Sequence, residues 1–180
     1  LTTRRQSKFF VVWQGYPLSN NQSALVVWGI SERMGSVMEK RMLGNTGVEI
    51  TVMGFGAMTI GGRFGPVDDN ESNRALHTAI DGGMNFIDTS NAYGEGHSEN
   101  LIGRFLKERS DRDDIVICTK GGNSFETLSG GGWGRDFTSD FIGRSLEGSL
   151  QRLGLEAVDL YLLHNPKLDD MKAEDCYALL

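Results

Sequence analysis

Apolar residues recur at helical spacing in three stretches of the chain. Within residues 70–81 they fall at positions 75, 76, 79 and 80, and within 98–107 they fall at 101, 102, 105 and 106. A third stretch, 141–153, has them at 141, 142, 146, 150 and 153. This spacing gathers apolar side chains on one helical face, so we predict three amphipathic helices, the second capped by Ser98. A further helical pattern begins at residue 169.

Short apolar runs between the predicted helices indicate β-strands. Residues 115–119 and 158–163 are almost wholly apolar, which is typical of a parallel sheet covered by helices. Residues 52–58 are predicted to form an earlier buried strand, and Phe86 and Ile87 another. Ahead of these strands we predict a β-hairpin, because Asn45-Thr46-Gly47 supplies residues that accept the positive φ of a tight turn.

The order of these elements favours one fold class. Strand and helix alternate, which implies βαβ units and a parallel sheet, either doubly wound or closed into a barrel. A doubly wound dinucleotide site needs G-x-G-x-x-G between the first strand and helix. Here residues 54–59 end in Thr59 instead of the third glycine. We therefore favour an α/β fold of the (β/α)8 TIM barrel type, N-terminal half only, made of the hairpin and four strands.

The first 37 residues differ from the rest of the chain. They show no sustained period and hold four basic side chains against one acidic one, whereas the whole chain of 180 residues has a net charge of −6. We interpret residues 1–37 as an N-terminal extension outside the fold and residues 38–180 as a truncated barrel domain beginning at Met38. The alternative is an extension that packs on the barrel.

Charge and composition argue against several functional classes. An acidic chain is a poor nucleic-acid partner, because phosphate binding needs a surplus of Lys and Arg. No segment approaches the roughly 20 apolar residues of a membrane span. Cys118 and Cys176 lie in unrelated contexts, Cys118 as a buried apolar residue, and no histidine pair has zinc spacing. We expect a cytoplasmic protein with no metal, nucleic-acid or membrane partner.

Ionisable residues follow the predicted strands. Asp88 follows the second strand, with Tyr93 in the next loop, and Lys120 and His164 follow the third and fourth. Each alone has an ordinary interpretation, as a turn residue, a loop aromatic, a solvated charge or a core histidine. Active sites of (β/α)8 barrels lie at the carboxyl ends of the strands. Together the four residues therefore form the candidate site.

These four side chains suit proton transfer at a carbonyl group. A tyrosine hydroxyl, with an ordinary pKa of about 10, is a weak acid, and the Lys120 ammonium is expected to lower the pKa of Tyr93. Asp88 would pair with Lys120 and hold it. His164 could donate a hydrogen bond to the substrate oxygen and stabilise the alkoxide that forms when hydride reduces a carbonyl.

Several segments together carry a family resemblance. They are GMNFIDTSNAYG at 83–94 followed by Ser98-Glu99 and by LIG at 101–103, SLQRLG at 149–154, VDLYLLH at 158–164, Thr119-Lys120, and LGNTG at 43–47. From about Met38 to the end, the chain resembles the aldo-keto reductases, which are NADP-dependent carbonyl reductases built on a (β/α)8 barrel. LGNTG is similar to the hairpin that plugs the bottom of that barrel.

The resemblance implies roles for particular residues. The family's catalytic tetrad falls on Asp88, Tyr93, Lys120 and His164. Tyr93 would act as general acid in reduction and as base in the reverse reaction, with hydride supplied by NADPH. The cofactor-lining positions fall on Gly56, Ala57, Met58 and Asp88. Residues 121–136 match a variable loop over the substrate pocket, where Trp133 either forms a substrate wall or packs on the barrel rim.

The resemblance stops before the later strands that supply most of the family's cofactor contacts. Two functions are therefore open. One is an oxidoreductase that reduces an aldehyde or ketone to an alcohol with NADPH, and the other is a non-catalytic truncated or regulatory binding subunit of the same fold. We expect residues 1–180 alone to be inactive. The open edges of a half barrel, with apolar surface exposed, favour self-association.

Overall fold

The computed structural model describes residues 38–62, 64–124 and 134–172. The predicted N-terminal extension, Trp133 and the end of the last predicted helix lie outside the described residues. The described strands are β1 (Lys40–Met42), β2 (Glu49–Thr51), β3 (Phe55–Gly56), β4 (Phe86–Asp88), β5 (Val116–Gly121), β6 (Asn123–Ser124), β7 (Gly134–Arg135) and β8 (Leu160–Leu163). The helices are α1 (Asp69–Asp81), α2 (His97–Lys107), α3 (Ser139–Leu153) and α4 (Leu168–Lys172), with a 3-10 turn at Arg112–Asp114.

Four strands form a parallel sheet in chain order, β3-β4-β5-β8. The predicted α/β class with a parallel sheet is confirmed. β1 and β2 form the predicted antiparallel hairpin. β6 and β7 form a second, two-residue antiparallel ribbon that the sequence pattern did not predict.

The first strand of the sheet is shorter than predicted. Only Phe55 and Gly56 pair with β4, and Val52 and Met53 are about half exposed rather than buried. The reason is that the hairpin holds the chain up to this point, where the Val52 amide donates to the Glu39 carbonyl oxygen at 2.9 Å. The prediction of a buried strand over residues 52–58 is therefore wrong in its first half.

The three longer helices follow the predicted spacing closely. Asp68 caps α1 by accepting hydrogen bonds from the amides of Asn70 and Glu71, and Thr138 caps α3 by accepting from the Phe141 amide. The predicted cap of α2 is wrong. Gly96 precedes that helix, and the Ser98 hydroxyl is fully buried, donating to the Ala57 carbonyl oxygen at 3.0 Å.

The sheet carries a different covering on each face. On the outer face Ile87, Ile117 and Leu163 pack with the apolar sides of α1, α2 and α3. On the inner face Val116 and Leu160 pack with residues of the β1–β2 hairpin and the residues next to it. The described helices therefore cover one face only. Strands in chain order with helices on one face are typical of a barrel wall and not of a doubly wound sheet.

None of the helices in the described part of the chain is both long and apolar enough to cross a membrane.

Candidate active site

Strand register brings three of the four predicted site residues to one end of the inner face. Side chains alternate between faces along a strand, so Cys118 and Lys120 share the inner face of β5. Asp88 ends β4 and lies opposite Cys118, while Leu162 lies opposite Lys120, two residues before His164. The carboxyl ends of three neighbouring strands therefore present a carboxylate, an ammonium and an imidazole together.

Lys120 is the centre of this cluster. Its Nζ donates to Asp88 Oδ1 at 2.5 Å, to the Thr89 carbonyl oxygen at 2.9 Å and to the Tyr93 hydroxyl at 3.2 Å. These three acceptors match the three protons of an ammonium group. The Lys120 side chain is only 7% exposed, whereas that of Asp88 is 31% exposed. The ammonium is thus buried and oriented, and its carboxylate partner remains open to the rim.

Tyr93 is placed by close contact between two loops. Its amide donates to the Ser90 carbonyl oxygen at 3.1 Å, and its carbonyl oxygen accepts from the Ser98 amide at 3.1 Å. Gly61, in the loop after β3, lies so close that an added Cβ would be 2.7 Å from the Tyr93 carbonyl carbon. A side chain at position 61 would therefore displace the Tyr93 backbone from its position.

Burial and charge act in opposite directions on the Tyr93 hydroxyl. Burial raises the pKa of Tyr93, and the Lys120 ammonium lowers it by less, so the net direction is upward. The predicted net decrease in the pKa of Tyr93 is therefore wrong. Burial also opposes the charge on Lys120, but Asp88 and Tyr93 outweigh it and raise the pKa of Lys120. Near neutral pH the pair is therefore a protonated phenol beside an ammonium.

His164 faces the same site from β8. Its ring lies edge-on to the Tyr93 ring, with centroids 5.8 Å apart and planes at 88°. Burial, followed by the Lys120 charge, lowers the pKa of His164 to about 4. The imidazole is therefore neutral near pH 7 and can act as a hydrogen-bond donor or acceptor but not as a cation.

The predicted cofactor positions border this cluster. Gly56 is paired with Asp88 in the sheet, and the Ala57 amide donates to the Asp88 carbonyl oxygen at 2.8 Å. A Cβ built on Gly56 would meet no atom within 4 Å, so the backbone there offers open space beside the Asp88 carboxylate. Met58 is partly buried next to it.

Sequence reasoning did not single out the polar residues that surround the tetrad positions. Ser90, Asn91 and Asn123 are all at least nine-tenths buried and hydrogen-bonded around His164. Their positions directly after strands are the only sign of them in the sequence. That sign is weak, because Ser and Asn are also common in exposed turns. Cys118 is buried as predicted, and burial raises the pKa of its thiol to about 12.

In the described residues no three His, Cys, Asp or Glu side chains are arranged to hold a metal ion.

Sequence comparisons with known proteins agree on one family. A sequence model described as Aldo/keto reductase family matches residues 52–179. L-galactose dehydrogenase of Arabidopsis thaliana is 36% identical over 146 residues, covering 79% of this chain and 44% of that protein. The NADP(+) aldo-keto reductase yakc of Schizosaccharomyces pombe is 35% identical over 124 residues, covering 69% of this chain and 36% of that protein.

Solved structures give the same result. The holo form of aldo-keto reductase AKR11C1 from Bacillus halodurans has a TM-score of 0.70 at 33% identity, covering 79% of this chain and 45% of that chain. The chain thus spans less than half the length of the relatives named here. The predicted partial (β/α)8 barrel is confirmed, because the parallel sheet matches part of such a barrel. The chain belongs to the aldo/keto reductase family.

Proposed function

We propose that the cluster at the rim is the catalytic site of an NADP-dependent oxidoreductase that reduces an aldehyde or ketone to an alcohol. The observation that carries the proposal is the contact of Lys120 Nζ with both the Tyr93 hydroxyl, at 3.2 Å, and Asp88 Oδ1, at 2.5 Å. A buried phenol held against an ammonium is a proton donor for a developing alkoxide. The name of the yakc relative, which includes NADP(+), supports the choice of cofactor.

Each side chain has a distinct part in the proposed reaction. The Tyr93 hydroxyl accepts from Lys120, so its own proton is available for the substrate oxygen. The Lys120 ammonium stabilises the phenolate that remains after the proton has left. Asp88 holds Lys120 in place, and His164 directs the carbonyl oxygen toward Tyr93. In the reverse direction the Tyr93 phenolate accepts the proton from the alcohol.

The open corner at Gly56 and Met58 beside Asp88 would hold the nicotinamide end of NADP(H), whereas the Ala57 side chain is fully buried in the outer cluster. When bound, this group supplies or accepts the hydride. The chain's own contribution there is a backbone surface without an obstructing side chain at Gly56. In this position the ring would lie next to the Asp88–Lys120 pair, which borders the same corner.

The roles are tested in a complete barrel, made by joining residues 38–180 to the C-terminal half of AKR11C1. We expect Tyr93→Phe to lower kcat for carbonyl reduction by about 10²–10⁴-fold, because it removes the proton donor. The matched control is Tyr161→Phe, since Tyr161 is also a buried tyrosine but packs in the outer cluster. Equal loss in both variants, or a near-normal kcat in Tyr93→Phe, would refute the role of Tyr93.

We also propose that residues 1–180 alone do not catalyse the reaction. The described part of the chain supplies only the proposed position for the nicotinamide ring. The relatives named above are more than twice as long as the segments that they share with this chain. NADPH absorbance followed with purified residues 1–180 and a panel of aldehydes and ketones is expected to stay constant. Turnover that Tyr93→Phe abolishes would contradict the inactivity but would support the role of Tyr93.

Self-association is proposed for the same polypeptide. Within the described residues, β3 and β8 each pair on one side only, which leaves two strand edges that can accept another chain. Sedimentation of purified residues 1–180 should therefore reveal species heavier than the monomer of 19.8 kDa. A single monomeric species at all concentrations would contradict this proposal and leave the catalytic one untouched.

A further inference from the structure

One ring nitrogen of His164, Nδ1, lies within hydrogen-bond distance of two polar side chains. Nδ1 lies 2.8 Å from the Ser90 hydroxyl and 2.9 Å from Nδ2 of Asn123. All three side chains are at least nine-tenths buried, with 0% exposure for Ser90, 5% for Asn123 and 8% for His164. The contacts are therefore shielded from competing water, and they hold the ring at its Nδ1 side.

The chemistry of these neighbours determines where the imidazole proton lies. An amide nitrogen only donates hydrogen bonds, so a ring nitrogen that it contacts must accept. A neutral imidazole carries a single N–H, and when Nδ1 accepts, that N–H is on Nε2. The low pKa of His164, about 4, ensures that the ring holds one proton at neutral pH.

We propose that Asn123 is a positioning residue that fixes His164 as the Nε2–H tautomer, with Ser90 as a second neighbour at Nδ1. The Nε2–H group is then a permanent donor to the oxygen of a bound carbonyl compound. The identity of that acceptor rests on the proposed reductase function. The tautomer itself follows from the three side chains alone.

The backbone around Asn123 is built to hold this contact. β5 ends at Gly121, and Gly122 has a φ of +106°, a left-handed conformation that turns the chain toward the His164 ring. The Gly122 carbonyl oxygen accepts from the Asp136 amide at 3.0 Å, and Asn123 pairs with Arg135 in the β6–β7 ribbon.

A second amide reinforces the position of Asn123. Asn91 Nδ2 donates to the Asn123 carbonyl oxygen at 3.3 Å and to the Ser145 hydroxyl at 3.0 Å. The loop after β4 and helix α3 are thereby tied to the ribbon that carries Asn123. The β6–β7 ribbon, absent from the sequence prediction, thus acquires a role as the support for His164.

An isosteric substitution reverses the hydrogen bond. Asn123→Asp keeps the shape of the side chain but replaces the donating nitrogen by an accepting oxygen. Nδ1 must then carry a proton. This leaves either a neutral ring whose Nε2 presents a lone pair to the carbonyl oxygen, or an imidazolium paired with the new carboxylate. In both cases Nδ1 changes from hydrogen-bond acceptor to donor.

Nitrogen NMR of the three histidine rings tests the inference directly. Residues 1–180 are labelled with ¹⁵N, and the His164 signals are identified by their loss in His164→Gln. We expect a pyrrole-type signal for Nε2 and a pyridine-type signal for Nδ1 in the wild-type chain at neutral pH. In Asn123→Asp we expect the Nδ1 signal to change from pyridine-type to that of a protonated nitrogen. The matched control is Asn100→Asp, which adds the same charge at an exposed site on α2.

Each outcome decides the proposal. A wild-type ring with the proton on Nδ1 overturns it, as does an Asn123→Asp ring in which Nδ1 stays unprotonated. Protonation of Nδ1 that also occurs in Asn100→Asp would trace the effect to charge alone and would overturn it too. Should Asn123→Asp fail to fold, Asn123→Ala replaces it. Averaged signals from both tautomers then support the proposal, and a pure Nε2–H ring contradicts it.

These measurements need neither cofactor nor substrate. A failure of the reductase proposal would appear as normal turnover in Tyr93→Phe with the tautomer unchanged. A failure of the present inference would appear only in the ring signals of His164. The two proposals are therefore separable.

Discussion

Two ion pairs involve neighbouring residues of β5 on opposite faces of the strand, one directly through Lys120 and the other through a hydrogen bond from Thr119. Lys120 points inward and pairs with Asp88 at 2.5 Å. Thr119 points outward, and its hydroxyl donates to Glu99 Oε1 at 2.5 Å, while Glu99 Oε2 accepts from Arg152 Nε at 2.7 Å. Both pairs are short and largely buried, but they differ in what surrounds the carboxylate.

The difference separates architecture from chemistry. Glu99 is 0% exposed, and each of its oxygens has a protein partner, so this pair locks α2 to β5 and α3. Asp88 is 31% exposed at the rim, beside the Tyr93 hydroxyl that Lys120 also contacts. A closed pair has nothing left to offer a ligand, whereas a pair open on one side can respond to one. We expect the first to govern stability and the second to govern reactivity.

The largest effect should come from breaking the closed pair. Arg152→Met leaves the Glu99 carboxylate buried without its cation, which typically costs about 3–5 kcal/mol. Urea unfolding of the 180-residue chain, followed by circular dichroism, measures the loss. The matched control is Arg144→Met, because Arg144 pairs with Asp140 on the exposed side of α3 and such pairs contribute about 0–1 kcal/mol. Equal effects of the two substitutions would mean that the buried Glu99–Arg152 pair stabilises the fold no more than an exposed pair does.

Acid should lower the free energy of unfolding, because His164 must be protonated when the chain unfolds. Its pKa is about 4 in the folded chain and 6.5 ordinarily, so between these pH values the unfolded chain binds a proton that the folded chain does not. Stability is therefore fully present above pH 6.5 and falls as the pH drops toward 4, by roughly 3 kcal/mol in total. His164→Gln should show a correspondingly flatter pH dependence of unfolding free energy. A wild-type slope in that variant would contradict the assignment.

The smallest effect on stability is expected at the open pair. Lys120→Met removes the cation from Asp88, but water reaches that carboxylate at the rim, so we expect a loss of only about 1 kcal/mol. The same urea measurement applies, with the Arg152→Met value as the reference. A loss as large as that of Arg152→Met would mean that the open pair is structural after all.

Most of the fold could be predicted because periodicity reports burial directly. The spacing of Leu101, Ile102, Phe105 and Leu106 marks the buried side of α2, and all four residues are buried. The first sheet strand was overestimated, since the apolar Val52 and Met53 belong to the end of the hairpin and stay half exposed. An apolar run identifies a segment able to be buried but not its neighbours, which tertiary contacts decide.

The candidate site was predictable only in part, for a related reason. Asp88, Lys120 and His164 stand at strand ends, and alternation along parallel strands brings strand ends together. The contact of Asn123 with His164 depends on a turn at Gly122 and on a two-residue ribbon, features too short to leave a periodic pattern. The direction of the Tyr93 pKa shift depends on burial, which the linear order of residues does not report.

Because Thr119 and Lys120 point to opposite faces of β5, the site depends on the number of residues in this strand. Deleting one residue among 116–118 would preserve backbone pairing but turn the ammonium toward the apolar helix layer and the threonine toward the rim. Such a chain would lose the proposed proton relay and would set the lysine ammonium beside the Glu99 carboxylate that Thr119 contacts. In this segment, therefore, length is constrained as tightly as the identity of any side chain.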